Sequence, residues 1–139
     1  MSWLNFKEEE FACKHTGKNN ISHELIDKLQ LLRNKVGFPI IINSGYRSKE
    51  HPIEAAKEKP GIHAEGLAVD IKVGGAEAYE VVGYALECGF SGIGVSQKGG
   101  YATRFIHLDI ANNSYDRPRP HIWSYWWMIW ALLFFGTLF

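Results

Sequence analysis

The segment PGIHAEGLAVDI, residues 60–71, joins a glycine-flanked histidine to an apolar strand that contains an aspartate. His63 lies in the loop, and Asp70 follows it by seven residues, near the end of the apolar run. Because strand side chains alternate between two faces, Asp70 lies opposite the apolar face and beside the small Ala68, where a second polar group has room to approach. The apolar face of this strand consists of Leu67, Val69, Ile71 and Val73.

The segment FIHLDI, residues 105–110, predicts a second strand with the same division of faces. Its residues Phe105, His107 and Asp109 share one face, and the aliphatic residues between them share the other. Any one of these polar residues alone is more often a surface or turn residue. If the loop of His63 folds back over the strands, however, two imidazoles and one carboxylate meet, and this is a ligand set that a catalytic zinc takes.

Helix and strand patterns alternate along the rest of the chain. NNISHELIDKLQLLRNKVG, residues 19–37, predicts a helix that Ser22 caps and Gly37 ends, with apolar residues at three- and four-residue steps. The other predicted elements are a helix over residues 75–90, short strands within 39–48 and 92–96, and an irregular segment over 111–122. The chain has no internal repeat, so these elements predict one α+β domain.

The composition limits the classes of partner. The 139 residues include 15 basic and 15 acidic side chains, so the formal net charge is zero. We therefore expect neither a nucleic acid nor an anionic membrane as a partner. We expect a monomer. Cys13 and Cys88 lack the spacing of a thiolate metal site, and either one disulfide or two buried thiols fits them.

The hydrophobic segment IWSYWWMIWALLFFGTLF, residues 122–139, contains no charged residue. As a helix it would span about 27 Å, close to the ~30 Å of a hydrocarbon core. We therefore divide the chain into a domain over residues 1–121 and a C-terminal tail over 122–139. The tail is either a membrane anchor or an apolar segment that packs on the domain or lies outside the working protein. If it inserts, Arg117 and Arg119 just before it favour a cytoplasmic domain.

Three motifs taken together resemble the zinc D-alanyl-D-alanine metallopeptidase family. They are SGYRSKEH (44–51), GIHAEGLAVDI (61–71) and FIHLDI (105–110). This family shares its fold with the Hedgehog signalling domain and includes VanY-type carboxypeptidases and phage endolysin peptidases. The resemblance extends from about Phe6 to about Tyr125. It implies a small antiparallel sheet with helices packed on one side.

The resemblance also implies roles for individual residues. His63, Asp70 and His107 match the zinc ligands, and Arg47 matches the arginine that faces carboxylate or peptide oxygens of the substrate. A guanidinium suits that role because its fork holds a carboxylate through two hydrogen bonds.

The chain departs from the family at the general base. Many members have an acid where this chain has Arg104, which cannot take a proton. Asp109 is the natural substitute, and we predict that it is the catalytic base; the alternative is a hydrogen-bond partner that orients an imidazole. Glu65 is a weaker candidate for the base.

These observations predict a zinc metallopeptidase that hydrolyses peptidoglycan stem peptides, as a D-Ala-D-Ala carboxypeptidase or as an endopeptidase of the endolysin type. The first residues lack the pattern of a secretory signal peptide, so we expect the protein to remain cytoplasmic until it is released to the bacterial cell wall. Two alternatives stay open. One is a non-catalytic zinc-binding module for wall peptides, which Arg104 favours. The other is a membrane-attached interaction protein that acts through its tail.

Overall fold

A single five-stranded sheet forms the centre of the fold in this computed structural model, which describes residues 2–125 of the chain. The strands are β1 (Ile41–Ser44), β2 (Ala68–Lys72), β3 (Gly92–Ser96), β4 (Phe105–Asp109) and β5 (His121–Ser124). Their order across the sheet is β1-β2-β4-β3-β5. Every neighbouring pair is antiparallel except β3 and β5, which run parallel. The predicted α+β class is confirmed, and the sheet is mostly antiparallel.

Three α-helices accompany the sheet in the described part of the chain. They are α1 (His23–Val36), α2 (Pro52–Ala55) and α3 (Gly75–Glu87). Helix α1 has the predicted ends: Ser22 Oγ accepts a hydrogen bond from Leu25 N at 3.4 Å, and Gly37 ends the helix with a φ of +75°.

The hydrophobic core lies between α1, α3 and one face of the sheet. From the helices it takes Leu25, Ile26, Leu29, Leu32, Ala78, Val81 and Ala85. From the strands it takes Val69, Ile71, Ile93, Ile106 and Leu108. Both cysteines are buried free thiols, so the thiol alternative fits them and the disulfide does not.

The register of β2 and β4 brings the predicted polar face together. Asp70 lies directly opposite His107, and Ala68 lies directly opposite Asp109. Directly opposed side chains on one face of an antiparallel pair are close neighbours. Helices α1 and α3 cover the aliphatic face of these strands, so the polar residues gather on the opposite face.

Strand β5 is a difference from the sequence analysis, which assigned its residues to an irregular segment and to the start of the tail. The structure pairs Trp123 with Gly94 and Ile122 with Ile93. A four-residue strand has too little alternation to be recognised alone, and its partner β3 lies on the other side of β4 in sequence. The membrane-anchor hypothesis concerns mainly residues 126–139, which lie outside the described residues. Between residues 2 and 125, no helix is long and apolar enough to cross a membrane.

Candidate metal centre

His63 is held in place by the loop that follows β1. It lies in the 3-10 turn Ile62–Glu65 and is only 4% exposed. Its Nδ1 lies 2.9 Å from the carbonyl oxygen of Gly45. Because a carbonyl only accepts, Nδ1 carries the proton and the lone pair of Nε2 faces inward, 3.4 Å from Asp70 Oδ1. The amide of Arg47 donates to the carbonyl of His63 at 3.1 Å, which ties the two loops together.

The turn that contains His63 ends at Gly66, which has a φ of +75°. Its carbonyl accepts a hydrogen bond from Ser22 N at 2.9 Å, which fixes the turn to the start of α1. A Cβ at Gly66 would lie 2.1 Å from the carbonyl oxygen of Asn20. Only glycine fits this position, both for its backbone angle and for the close approach of another chain segment.

His107 faces Asp70 from the neighbouring strand. Its Nδ1 lies 3.0 Å from Asp70 Oδ1, and its Nε2 lies 2.8 Å from Asp109 Oδ2. The rings of His63 and His107 meet edge to face, with centroids 5.2 Å apart. His107 therefore turns one nitrogen toward Asp70 and His63 and the other toward Asp109.

The three predicted ligands form a cluster whose donor atoms lie within 4.8 Å of one another. The donors are one nitrogen from each histidine and one carboxylate oxygen, and both histidines are buried. The second nitrogen of each histidine is hydrogen-bonded to an oxygen, as is usual for imidazoles that bind a metal. The donor set fits zinc, which takes three such ligands and keeps a fourth position open.

Burial and the neighbouring polar groups shift the pKa values of all three clustered residues. Burial raises the pKa of Asp70, but the adjacent imidazoles of His63 and His107 outweigh burial and hold it well below its usual range. Burial lowers the pKa of His63, which keeps this imidazole neutral. Burial also lowers the pKa of His107, but its hydrogen bonds to Asp109 and Asp70 outweigh burial and raise it, so a metal ion has to displace a proton from this imidazole. A cation bound at the cluster would lie beside the charge of Asp70, whereas Asp109 is already paired with Arg119.

Asp109 is fully buried behind His107. Besides the bond from His107, its carboxylate accepts two hydrogen bonds from Arg119, at 2.9 and 2.7 Å, and one from the amide of Ala111 at 3.2 Å. Burial raises the pKa of Asp109, but the hydrogen bonds from His107 and Arg119 outweigh burial, and the pKa lies well below its usual range. Both carboxylate oxygens are thus engaged, on the side of His107 that faces away from Asp70.

Gly92 makes room for this carboxylate. A Cβ on Gly92 would lie 2.3 Å from Asp109 Oδ2 and 2.4 Å from Oδ1. We expect Gly92→Ala to displace the carboxylate and to weaken zinc binding by about 10–100-fold, the usual effect of losing a partner of a metal-binding imidazole. Competition titration with a chromophoric chelator measures this affinity. Gly100→Ala is the matched control, because nothing lies within 4 Å of a Cβ there. Equal zinc affinities in the two variants would contradict the prediction.

Arg47 lies in the wall of the same site. Its side chain is 11% exposed, and its Nε lies 3.5 Å from the carboxylate of the fully buried Glu54. Glu54 also accepts hydrogen bonds from Lys57 at 3.1 Å and from the amide of Gly61 at 2.7 Å. Arg47 Nε is a buried polar atom without a hydrogen-bond partner among the described residues. The Arg47 guanidinium is therefore held by its attraction to the Glu54 carboxylate, and its Nε still has a hydrogen bond to donate.

A cavity of about 430 Å³ opens onto the cluster. One wall is aromatic and consists of Phe105, Trp123 and Tyr125. Trp123 packs on the His107 ring at a centroid distance of 5.1 Å, and a Cβ at Gly94 would lie 2.8 Å from the Trp123 ring. This wall was not predicted, because both Trp123 and Tyr125 fall within the segment that the sequence assigns to the tail.

The charged groups around the cavity are mostly positive. The lining includes Lys14, Arg47 and Lys57, whereas Asp70 is the one carboxylate that lines it among the described residues. His51 also lies in the wall, and its Nδ1 accepts a hydrogen bond from Ile53 N at the start of α2. The cavity therefore suits a ligand with negative charge.

Other residues considered in the sequence analysis lie elsewhere. Glu65 is 47% exposed and pairs with Arg117 at 2.7 Å, outside the cavity lining. Arg104 donates to the carbonyl of Gly99, also away from the cluster. His23 pairs with Glu8 at the surface. Neither Glu65 nor Asp109 belongs to the cavity lining that the described residues form.

Comparison with known proteins gives one family. The family described as Peptidase M15 matches residues 4–109, which include the three clustered residues and Arg47. Comparison with curated proteins gives no significant match, and comparison with solved structures gives none either.

Proposed function

The chain belongs to the peptidase M15 family, the zinc D-alanyl-D-alanine metallopeptidases, and from this premise we propose that it hydrolyses peptide bonds in the stem peptides of peptidoglycan. Family membership supports a zinc-dependent peptidase. The observation that carries the proposal further is the buried cluster of two histidines and one aspartate at the floor of a cavity that suits anionic ligands.

His63 Nε2, one oxygen of Asp70 and His107 Nδ1 would hold the zinc ion. When bound, zinc polarises a carbonyl group and makes water a stronger acid near neutral pH. The hydrogen bonds of His63 to Gly45 and of His107 to Asp109 keep both rings in orientation.

We assign the orienting role to Asp109 rather than the role of general base. All the hydrogen bonds of its carboxylate are made behind His107, so it accepts the proton of His107 Nε2, with Oδ2 2.8 Å from that nitrogen, instead of facing the cavity. A fully buried carboxylate that is already paired with an arginine is a poor acceptor for a substrate proton.

The positive lining of the cavity supports a substrate that carries carboxylates. Stem peptides end in a free carboxylate and often contain a second one, and Arg47 is placed to hold one of them by its fork. The binding of a terminal carboxylate would correspond to carboxypeptidase activity, and the binding of internal peptide oxygens to endopeptidase activity. We also propose that the protein acts on the bacterial cell wall after release from the cytoplasm.

The test uses the full chain loaded with one equivalent of zinc. Purified stem peptides ending in D-Ala-D-Ala and crosslinked wall fragments are incubated with it, and the products are identified by mass spectrometry. The expected result is release of D-alanine or cleavage of the crosslink, lost after chelation and restored by added zinc. A chain that binds zinc tightly but cleaves neither substrate would contradict a peptidase.

A second function is favoured by one observation. Asp70 is the one carboxylate that lines the cavity within residues 2–125, and it is itself a predicted ligand. A site without a further carboxylate base fits a zinc-binding module that holds wall peptides without cleaving them. Saturable binding of uncleaved stem peptides by the zinc-loaded chain would support this module.

Arg47→Lys separates substrate binding from catalysis. Lysine keeps the charge near Glu54 but loses the fork, so we expect KM for a stem peptide to rise by about tenfold or more, with a smaller change in kcat. Steady-state kinetics on the released D-amino acid measure both constants. Arg33→Lys, on helix α1, is the matched control and should leave both unchanged. A kcat that falls as much as kcat/KM, with KM unchanged, would contradict a binding role for Arg47.

A further inference from the structure

Arg119 lies in the segment between β4 and β5, outside the matched residues 4–109. From the sequence alone, Arg119 was only a positive charge that precedes the tail. In the structure its side chain is 7% exposed and it turns inward onto the fully buried Asp109. Its Nε donates to Asp109 Oδ1 at 2.9 Å and its Nη2 donates to Oδ2 at 2.7 Å. Such a bidentate pair fixes both the position and the plane of the carboxylate.

The fixed carboxylate in turn determines how His107 is presented. Asp109 Oδ2 lies 2.8 Å from His107 Nε2, and a carboxylate oxygen paired with arginine can only accept. The proton is therefore on Nε2, and Nδ1 is turned toward Asp70 Oδ1, 3.0 Å away. Arg119 also lies over the Trp123 ring at 5.2 Å, and Trp123 contacts the His107 ring at an interplanar angle of 53°.

We propose that Arg119 is a positioning residue of the metal centre, which acts through Asp109 to hold His107 with Nδ1 directed at the metal. This inference rests on the proposed zinc site. It assigns a function to a residue that touches neither the cluster nor the cavity. The segment between β4 and β5 brings the guanidinium of Arg119 to Asp109, on the side of His107 that faces away from Asp70.

The geometry makes the requirement specific for arginine. A lysine ammonium is a point charge, so it can approach Asp109 but cannot bond both oxygens in one plane. A methionine has a similar length and no charge, and it would leave a buried carboxylate bonded only by His107 and by the amide of Ala111. With either lysine or methionine at position 119, the His107 imidazole is less firmly oriented, and we expect the affinity for the metal to fall.

The experiment measures the zinc affinity of the full chain by chelator competition, for the native protein and for Arg119→Met, Arg119→Lys and Arg117→Met. We expect Arg119→Met to weaken zinc binding by about 10–100-fold and Arg119→Lys to weaken it less. Arg117→Met is the matched control from the same segment. It removes only the partly exposed pair with Glu65 and should stay within about twofold of the native affinity.

A double-mutant cycle with Asp109→Asn distinguishes positioning from general support of the fold. If Arg119 acts through Asp109, Arg119→Met should change the zinc affinity by less than about twofold in the Asp109→Asn background. The absorption spectrum of the cobalt-loaded chain gives a second readout, because it reports the geometry of the metal site. It should change in Arg119→Met and remain native in Arg117→Met.

Three results would overturn the inference. Native zinc affinity in Arg119→Met would show that the arginine is dispensable, and effects that multiply in the double mutant would show that it acts independently of Asp109. If Arg119→Met does not fold, native affinity in Arg119→Lys would have the same meaning. A native chain that binds no zinc would reject the proposed site and this inference together, whereas a zinc-binding native chain with an unaffected Arg119→Met would reject the inference alone.

Discussion

Replacement of His63 by alanine is expected to abolish stoichiometric zinc binding by this chain. His63 supplies one of three donors in a cluster that spans 4.8 Å, and the two that remain are too few for a tight site. Loss of a hydrogen-bond partner outside the ligands usually costs 10–100-fold in affinity, so loss of a ligand should cost more than about 100-fold. Elemental analysis of the purified variant and chelator competition measure the effect.

The control for this variant is His23→Ala. His23 pairs with Glu8 at the surface at the start of α1, so its removal should leave zinc binding native. Circular dichroism of both metal-free variants checks that the helices are retained. Peptidase activity should be lost in His63→Ala along with the metal. One equivalent of tightly bound zinc in His63→Ala would reject the proposed site.

Gly66→Ala is expected to be the most destabilising single substitution considered for this protein. A φ of +75° costs a residue with a Cβ about 1–2 kcal/mol. The Cβ would also lie 2.1 Å from the carbonyl oxygen of Asn20, which belongs to the backbone and cannot rotate away. Together these effects should lower the free energy of unfolding by about 3 kcal/mol or more, and the melting temperature by about 10 °C.

Gly37→Ala is a matched control, because it separates the two causes. Gly37 has the same φ of +75°, but nothing lies within 4 Å of a Cβ there. It should therefore lose only about 1–2 kcal/mol, the cost of the backbone angle. Denaturant unfolding of the metal-free proteins is the appropriate measurement, since bound zinc would add stability of its own. Equal losses in the two variants would show that the Asn20 contact does not determine the effect.

The effect of Gly66→Ala should extend to the metal site. Gly66 ends the turn that contains His63, and its carbonyl anchors that turn to Ser22. If the turn must move to relieve the contact with Asn20, His63 moves with it. We therefore expect Gly66→Ala to lower the zinc affinity as well as the stability.

Much of the fold follows from local patterns in the sequence. Helix α1 has the predicted cap at Ser22 and the predicted end at Gly37, and strand β3 has the predicted bounds 92–96. Strand alternation places Asp70 and His107 on the face away from the aliphatic residues. Such features depend on neighbours within a few residues, so periodicity and capping are enough to predict them.

The residues of the candidate site were predicted from the sequence, but the contacts that orient them were not. The roles of His63, Asp70, His107 and Arg47 stay predictions, and the structure adds that the first three lie within metal-binding distance of one another. The two possible roles of Asp109 could not be separated from sequence, because the difference depends on which way its carboxylate faces. That direction is set by Arg119, which lies ten residues further along an irregular segment.

Local patterns are enough to predict the ends of α1 and the faces of β2 and β4, and they give the set of candidate metal ligands. The long-range contacts add that β5 joins the sheet parallel to β3, that Trp123 and Tyr125 form a wall of the cavity, and that Arg119 holds Asp109. The physical reason is the range of the interactions. A cap or an alternating strand is stabilised within one segment, whereas these three features join segments whose patterns, taken alone, contain no sign of the partner.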